Sequence, residues 1–155
     1  MSTQIANQAI LSYRCGETAC SVASNIATAS LRGPLSARLA ALETTYRAGQ
    51  ELALYLMLEN VGSSALSNIA LADDLGAFTL PGPATVTPLD IVGTARLFID
   101  GRFIAHLTPE FAGDGARFSI LSLPAGANAL VLYKARVNSF APLATGSTIT
   151  VNAVA

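Results

Sequence analysis

The chain has 155 residues, 52% of them hydrophobic and only 12% charged, and its nine basic and ten acidic groups leave a formal charge of −1. That length fits one domain with a sizeable core, and the scattered charges exclude the basic stripe that neutralises nucleic-acid phosphates. The longest uninterrupted apolar run, residues 52–58, falls far short of the ~20 residues a membrane-spanning helix needs, so membrane insertion is not expected. About a quarter of an average domain is charged, so the surplus apolar surface here points to contact with protein.

Taken in chain order, Met1-Ser2-Thr3-Gln4 carries no positive region, and Asn7 and Gln8 interrupt any apolar stretch, so no secretion signal is read. Residues 5–13 and 19–31 read as two strands joined by a turn at 14–18, together a hairpin with Cys15 and Cys20 at its tip. Arg32-Gly33-Pro34 is a hinge, dividing an arm, residues 1–33, from a body, residues 34–155. Residues 35–42 read as a strand, with a short helical segment as the alternative. Leu52, Leu54, Leu56 and Leu58 then alternate with Ala53, Tyr55, Met57 and Glu59, the period of a half-buried strand. Asn60-Val61-Gly62-Ser63-Ser64 breaks it with turn chemistry, and Ile69 and Leu71 resume the alternation up to Asp73-Asp74.

Beyond a Pro-rich crossing at 81–88, residues 94–99 and 102–107 flank Asp100-Gly101, a strong short hairpin signal. Further strands are predicted at 116–121, 128–137 and 147–154. Eight to ten short strands with regular turns indicate an all-β, antiparallel sandwich. Its body shows no catalytic group in the thirty residues 46–75, and the pattern argues for a scaffold.

The order Tyr46, Gly49, alternating apolar residues, Asn60, Gly62, Leu66, Asn68, Ile69, Leu71, Asp73, Leu75 resembles the bacterial surface repeat called domain of unknown function 11. The resemblance runs from about residue 35 to the end, including Leu123-Pro124-Ala125-Gly126 and Gly146-Ser147-Thr148-Ile149. It implies an immunoglobulin-like β-sandwich, a module of surface proteins without a catalytic motif. Unlike the usual arrays of that family, the sequence reads as a single copy, and no wall anchor is expected in it.

No constellation for chemistry is legible. A metal site needs about four ligands, and the single histidine, His106, lies far in sequence from Cys15 and Cys20. Asp73-Asp74 reads as a solvated turn rather than a calcium site. His106 alternates with Phe103, Ala105 and Leu107 and is expected opposite them, facing solvent. There is no Gly-x-Ser-x-Gly elbow, and Gly113-Asp114-Gly115 lacks the continuation of a phosphate-binding loop. No enzyme activity, cofactor, metal or small-molecule substrate is therefore expected. Lys134, the sole lysine, should point outward if Val131, Tyr133, Ala135 and Val137 face the core. The chain has no Trp and its aromatics fit core positions, so the aromatic platform of a sugar-binding sandwich is not expected.

What remains is assembly. Residues 5–11 resemble residues 149–155, as though residues 1–31 were the tail of a preceding module. The sequence reading is thus a structural, self-assembling subunit of an extracellular or spore-surface filament. Its partners would be further copies of itself in a head-to-tail homopolymer, coupled by strand exchange. The coupling arm is assigned to Ile5, Ala9, Leu11, Tyr13, Val22 and Ile26, with a disulfide of Cys15 and Cys20, within or between chains. The alternatives are an arm that pairs within its own chain, and a monomeric adhesion or ligand-binding module of a larger bacterial surface protein.

Overall fold

A computed structural model describes residues 4–15, 17–30, 33–82, 84–112 and 115–155, and these form strands and turns with no helix. The chain divides into two compact units, Met1–Gly33 and Pro34–Ala155.

The first unit holds β1 (Gln4–Asn7), β2 (Ile10–Cys15), β3 (Thr18–Ala23) and β4 (Ala27–Ser30). Strand β1 pairs antiparallel with β4, and β2 with β3, giving a two-stranded ribbon. Two continuous strands were expected; each is instead interrupted. Asn7 is opposite Ala27 and Ile10 opposite Ala23, so two residues, Gln8-Ala9, face three, Ser24-Asn25-Ile26. The extra residue makes a bulge, and Ser24 closes it. Its amide donates to the Ala9 carbonyl (2.8 Å), its hydroxyl oxygen accepts the Ala9 amide (3.0 Å), and its carbonyl accepts the Gln8 side-chain amide (2.8 Å).

The second unit contains β5 (Leu35–Ala41), β6 (Glu51–Asn60), β7 (Leu66–Asp73), β8 (Phe78–Thr79), β9 (Thr85–Val86), β10 (Leu89–Ile99), β11 (Arg102–Leu107), β12 (Glu110–Ala112), β13 (Gly115–Leu123), β14 (Asn128–Val137) and β15 (Ala153–Val154). One sheet has the order β11-β10-β14-β6-β5, the other β12-β13-β7-β15, and β8 and β9 make a small separate pair. Every pairing is antiparallel. This is the all-β antiparallel sandwich that the alternation predicted. Between the sheets lie Leu52, Leu54, Leu56 and Leu58 from β6, Ile69 and Leu71 from β7, Phe118 and Ile120 from β13, and Val131, Tyr133 and Val137 from β14. A sheet with one apolar face is stable only when another layer covers it.

Two turns fix the strand registers. Asp100 and Gly101 both take positive φ (47° and 77°), the geometry of a type I′ hairpin whose twist matches the strands it joins. Asn60, fully buried, is a hub: its side-chain nitrogen lies 2.9–3.0 Å from the carbonyls of Ser64, Leu123 and Pro124, and its side-chain oxygen accepts the Gly62 amide at 3.0 Å. One amide thereby joins the turn after β6 to the turn after β13. Gly62 must be glycine here, since an added Cβ would come within 2.9 Å of Pro34.

The predicted strand at 147–154 is shorter than expected. Only Ala153–Val154 pair with β7. Ahead of them Ile149 and Val151 pack on the core without a ladder, and Asn152 is clamped by Asp74. Asn152 donates its backbone and side-chain N–H groups to the two carboxylate oxygens of Asp74 (2.9 and 2.7 Å), while its carbonyl accepts the Asp74 amide (3.0 Å).

Candidate functional site: the outer face of the five-stranded sheet

Register determines what the outer face presents. Arg38 on β5 pairs with Met57 on β6, Met57 with Leu130 on β14, Leu130 with Phe98 on β10, and Phe98 with Phe103 on β11. Five strands thus contribute one straight row, apolar over four of its five members. The next row is Ala40, Tyr55, Leu132, Arg96 and His106. Met57 and Phe103 are 39% and 52% exposed, and Leu130, Leu132, Tyr55 and Phe98 are half-buried. Arg38, Met57, Phe98, Leu130 and Leu132, with Glu59, border a groove of about 650 Å³.

A bulge shapes the aromatic end. Leu97 pairs with Ala105 but Phe98 with Phe103, which leaves Ile104 as the extra residue. Strict alternation placed Phe103 opposite His106. The bulge instead moves Phe103 onto His106's side, where the two rings meet edge to face at 5.2 Å, and Phe103 meets Phe98 at 5.8 Å. His106 faces solvent as expected, with Thr94 Oγ1 3.3 Å from its Nδ1.

The charged groups are unevenly committed. Glu51 bridges Arg136 (2.8 Å) and Lys134 (3.4 Å), and those hydrogen bonds, Arg136's first, hold its carboxyl below the ordinary value. Lys134 points outward as predicted, while Val131, Tyr133, Ala135 and Val137 are buried. Asp100 accepts the Asn128 amide at 2.9 Å. Among the described residues, the side chains of Arg38, Glu59, Ser36 and Asn128 have no hydrogen-bond or ion-pair partner.

Two sequence expectations are corrected. The aromatics are not mainly core residues: Phe103, Phe111 and Phe140 are 52%, 65% and 51% exposed, whereas Phe118 and Tyr133 are buried. Nor is Asp73 a solvated turn residue. It is 1% exposed, accepts the Tyr133 hydroxyl on Oδ2, and accepts the Leu75 amide on Oδ1 at 2.8 Å. Burial pushes its carboxyl above the ordinary value, outweighing those two hydrogen bonds, and burial beside Asp73 likewise pushes the Tyr133 hydroxyl upward. Tyr133 also packs on Phe118, with ring centroids 5.0 Å apart.

The residues assigned to the coupling arm lie in the N-terminal ribbon. Val22 and Ile26 are 52% and 58% exposed, and Ala9 sits in the bulge. The side chains of Ile5, Leu11, Tyr13, Cys15 and Cys20 lie outside the described residues. The backbone register pairs Cys15 with Thr18 and Cys20 with Tyr13, so the two cysteines occupy diagonal, not opposed, positions. Among the described residues no three His, Cys, Asp or Glu side chains gather as metal ligands, and no helix is long and apolar enough to cross a membrane.

No protein-family model matches the chain, and no curated protein matches it. Among solved structures it is similar to a family IIIA CBD from Clostridium cellulolyticum, at 12% identity and a TM-score of 0.42, over 78% of this chain and 91% of that one.

Proposed function

We infer that this chain is a non-catalytic binding module of a bacterial surface protein, with the outer face of the five-stranded sheet as its binding surface. The observation that carries this reading is the row Met57, Leu130, Phe98, Phe103, which places partly exposed apolar side chains in line across four neighbouring strands. Apolar residues scattered singly over a surface need no explanation, but a contiguous stripe bordered by uncommitted polar groups marks an interaction site. The resemblance to domain of unknown function 11 belongs to the same reading and accords with a surface location. Glycan and peptide arrays probed with the unchanged chain and with Leu130→Glu provide the test. Binding by the first and not by the second is expected; equal binding by both sinks the assignment to this face.

A second reading is a self-assembling subunit coupled through the N-terminal ribbon. It is favoured by one observation: the ribbon's strands form two-stranded sheets, and an isolated two-stranded ribbon is marginal in water unless something packs on it. Here the expected outcome is concentration-dependent polymers that vanish when residues 2–31 are deleted. Polymers formed equally by the truncated chain, or an unchanged monomer at high concentration, would exclude it.

A further inference from the structure

We propose that the groove on this face binds a neutral, β-linked polysaccharide chain, one sugar ring to each strand of the row. The proposal rests on the reading of the face as a binding surface and names its ligand.

The spacing of the floor is the first argument. Met57, Leu130 and Phe98 stand on adjacent strands of one row, so their side chains repeat at the inter-strand distance of ~4.8 Å. A pyranose ring in an extended chain has about that length, and its axial C–H faces are the apolar surface that Phe, Met and Leu side chains can cover. An extended peptide fits the row less well, because residues on one of its faces recur only every ~6.7 Å. The floor is also the face of a sheet, which suits a flat, equatorially linked glycan and not a coiled α-linked one.

The polar rim supplies the second argument. A sugar hydroxyl both donates and accepts, so a site for one needs donors and acceptors together. Arg38 offers donors, Glu59 acceptors, and the Asn128 amide and Ser36 hydroxyl both, and all four border the groove. Register makes Ser36 face Glu59, and Glu59 face Asn128, one step along from the apolar row. With both signs of charge at hand and neither committed, the rim has no net preference for an ionic ligand.

Titration calorimetry of the full chain with cellohexaose, and with maltohexaose as the coiled counter-probe, tests this. The expected result is binding of cellohexaose at least tenfold tighter than of maltohexaose. Glu59→Gln and Phe98→Ala should each weaken it about tenfold while the far-ultraviolet circular dichroism stays unchanged; Glu59→Gln, an exposed substitution, guards against misfolding as the cause. No heat with cellohexaose, together with an array ligand of another class lost in Leu130→Glu, overturns the polysaccharide and leaves the binding face standing. Cellohexaose bound equally by the chain and by Leu130→Glu overturns both.

Discussion

The strands β6, β14 and β10 carry two faces built from the same alternation, yet the faces have different tasks. Inward, Leu54, Leu56, Leu58, Val131 and Leu97 are at most 4% exposed and are covered by the second sheet. Outward, Met57, Leu130, Leu132 and Phe98 are nearly as apolar, but they stay half-buried or exposed, with no second sheet over them among the described residues. On the four-stranded sheet the outward positions of the paired strands β7 and β13 are mainly small or polar: Ala70 faces Ser119, Ala72 faces Arg117, and Leu121 stands singly. The sandwich therefore solvates one of its two outer surfaces in the ordinary way and leaves the other with apolar area to spare.

If the faces differ in this way, inward substitutions should cost stability and outward ones only binding. The largest effect is expected for Leu56→Ala, which leaves a cavity at a side chain 1% exposed and should lower the unfolding free energy by about 3 kcal/mol in urea titrations. Tyr133→Phe strands the buried Asp73 carboxyl without its hydroxyl donor and should cost about 2 kcal/mol by the same measurement. Asn152→Ala removes one of the three bonds that clamp the last segment to Asp74 and should cost about 1 kcal/mol, with faster amide exchange at residues 149–154. At the small end, Leu132→Ser on the outward face should shift stability by no more than about 0.5 kcal/mol while abolishing capture of the array ligand. A loss of 2 kcal/mol or more there would mean that this face is covered in the folded protein, and the contrast between the faces would fail.

Asp73 sharpens the comparison through pH. Its carboxyl titrates above its ordinary value near 3.8 because burial disfavours the charge. The native state then holds a proton that the unfolded state has already released. The associated stability is complete below that ordinary value and is lost as pH rises through the native one. Melting temperatures of the unchanged chain should decline across this acidic window, and Asp73→Asn should flatten the decline. A melting temperature that instead climbs there, and climbs less in Asp73→Asn, would reverse the assigned direction.

Much of the sandwich was legible because its signals are local. The leucines at 52, 54, 56 and 58 declare a period of two, Asp100-Gly101 declares its hairpin, and Asn60 with Gly62 declares the turn that the buried amide of Asn60 organises. The outward orientation of Lys134 followed from the same parity. The candidate site was not legible, because it exists only through pairings between residues far apart in sequence: Met57 meets Leu130, and Leu130 meets Phe98, across three strands. Counting alternation along one strand cannot reveal which residues of five strands fall in line. The bulge at Ile104 moved Phe103 to the outer face against strict alternation, and Asp73 looked like a turn residue because its partner, Tyr133, lies sixty positions away. The side chains of Cys15, Cys20, Ile5, Leu11 and Tyr13 fall outside the described residues.

The binding face is tested most directly by mapping amide chemical shifts of the nitrogen-15-labelled chain during titration with whichever array ligand binds it. The account predicts that the largest changes fall on Tyr55, Met57, Phe98, Leu130 and Leu132 and on the neighbouring amides of β6, β10 and β14. Changes centred on Ala70, Ser119 and Leu121, or confined to the N-terminal ribbon, would contradict it.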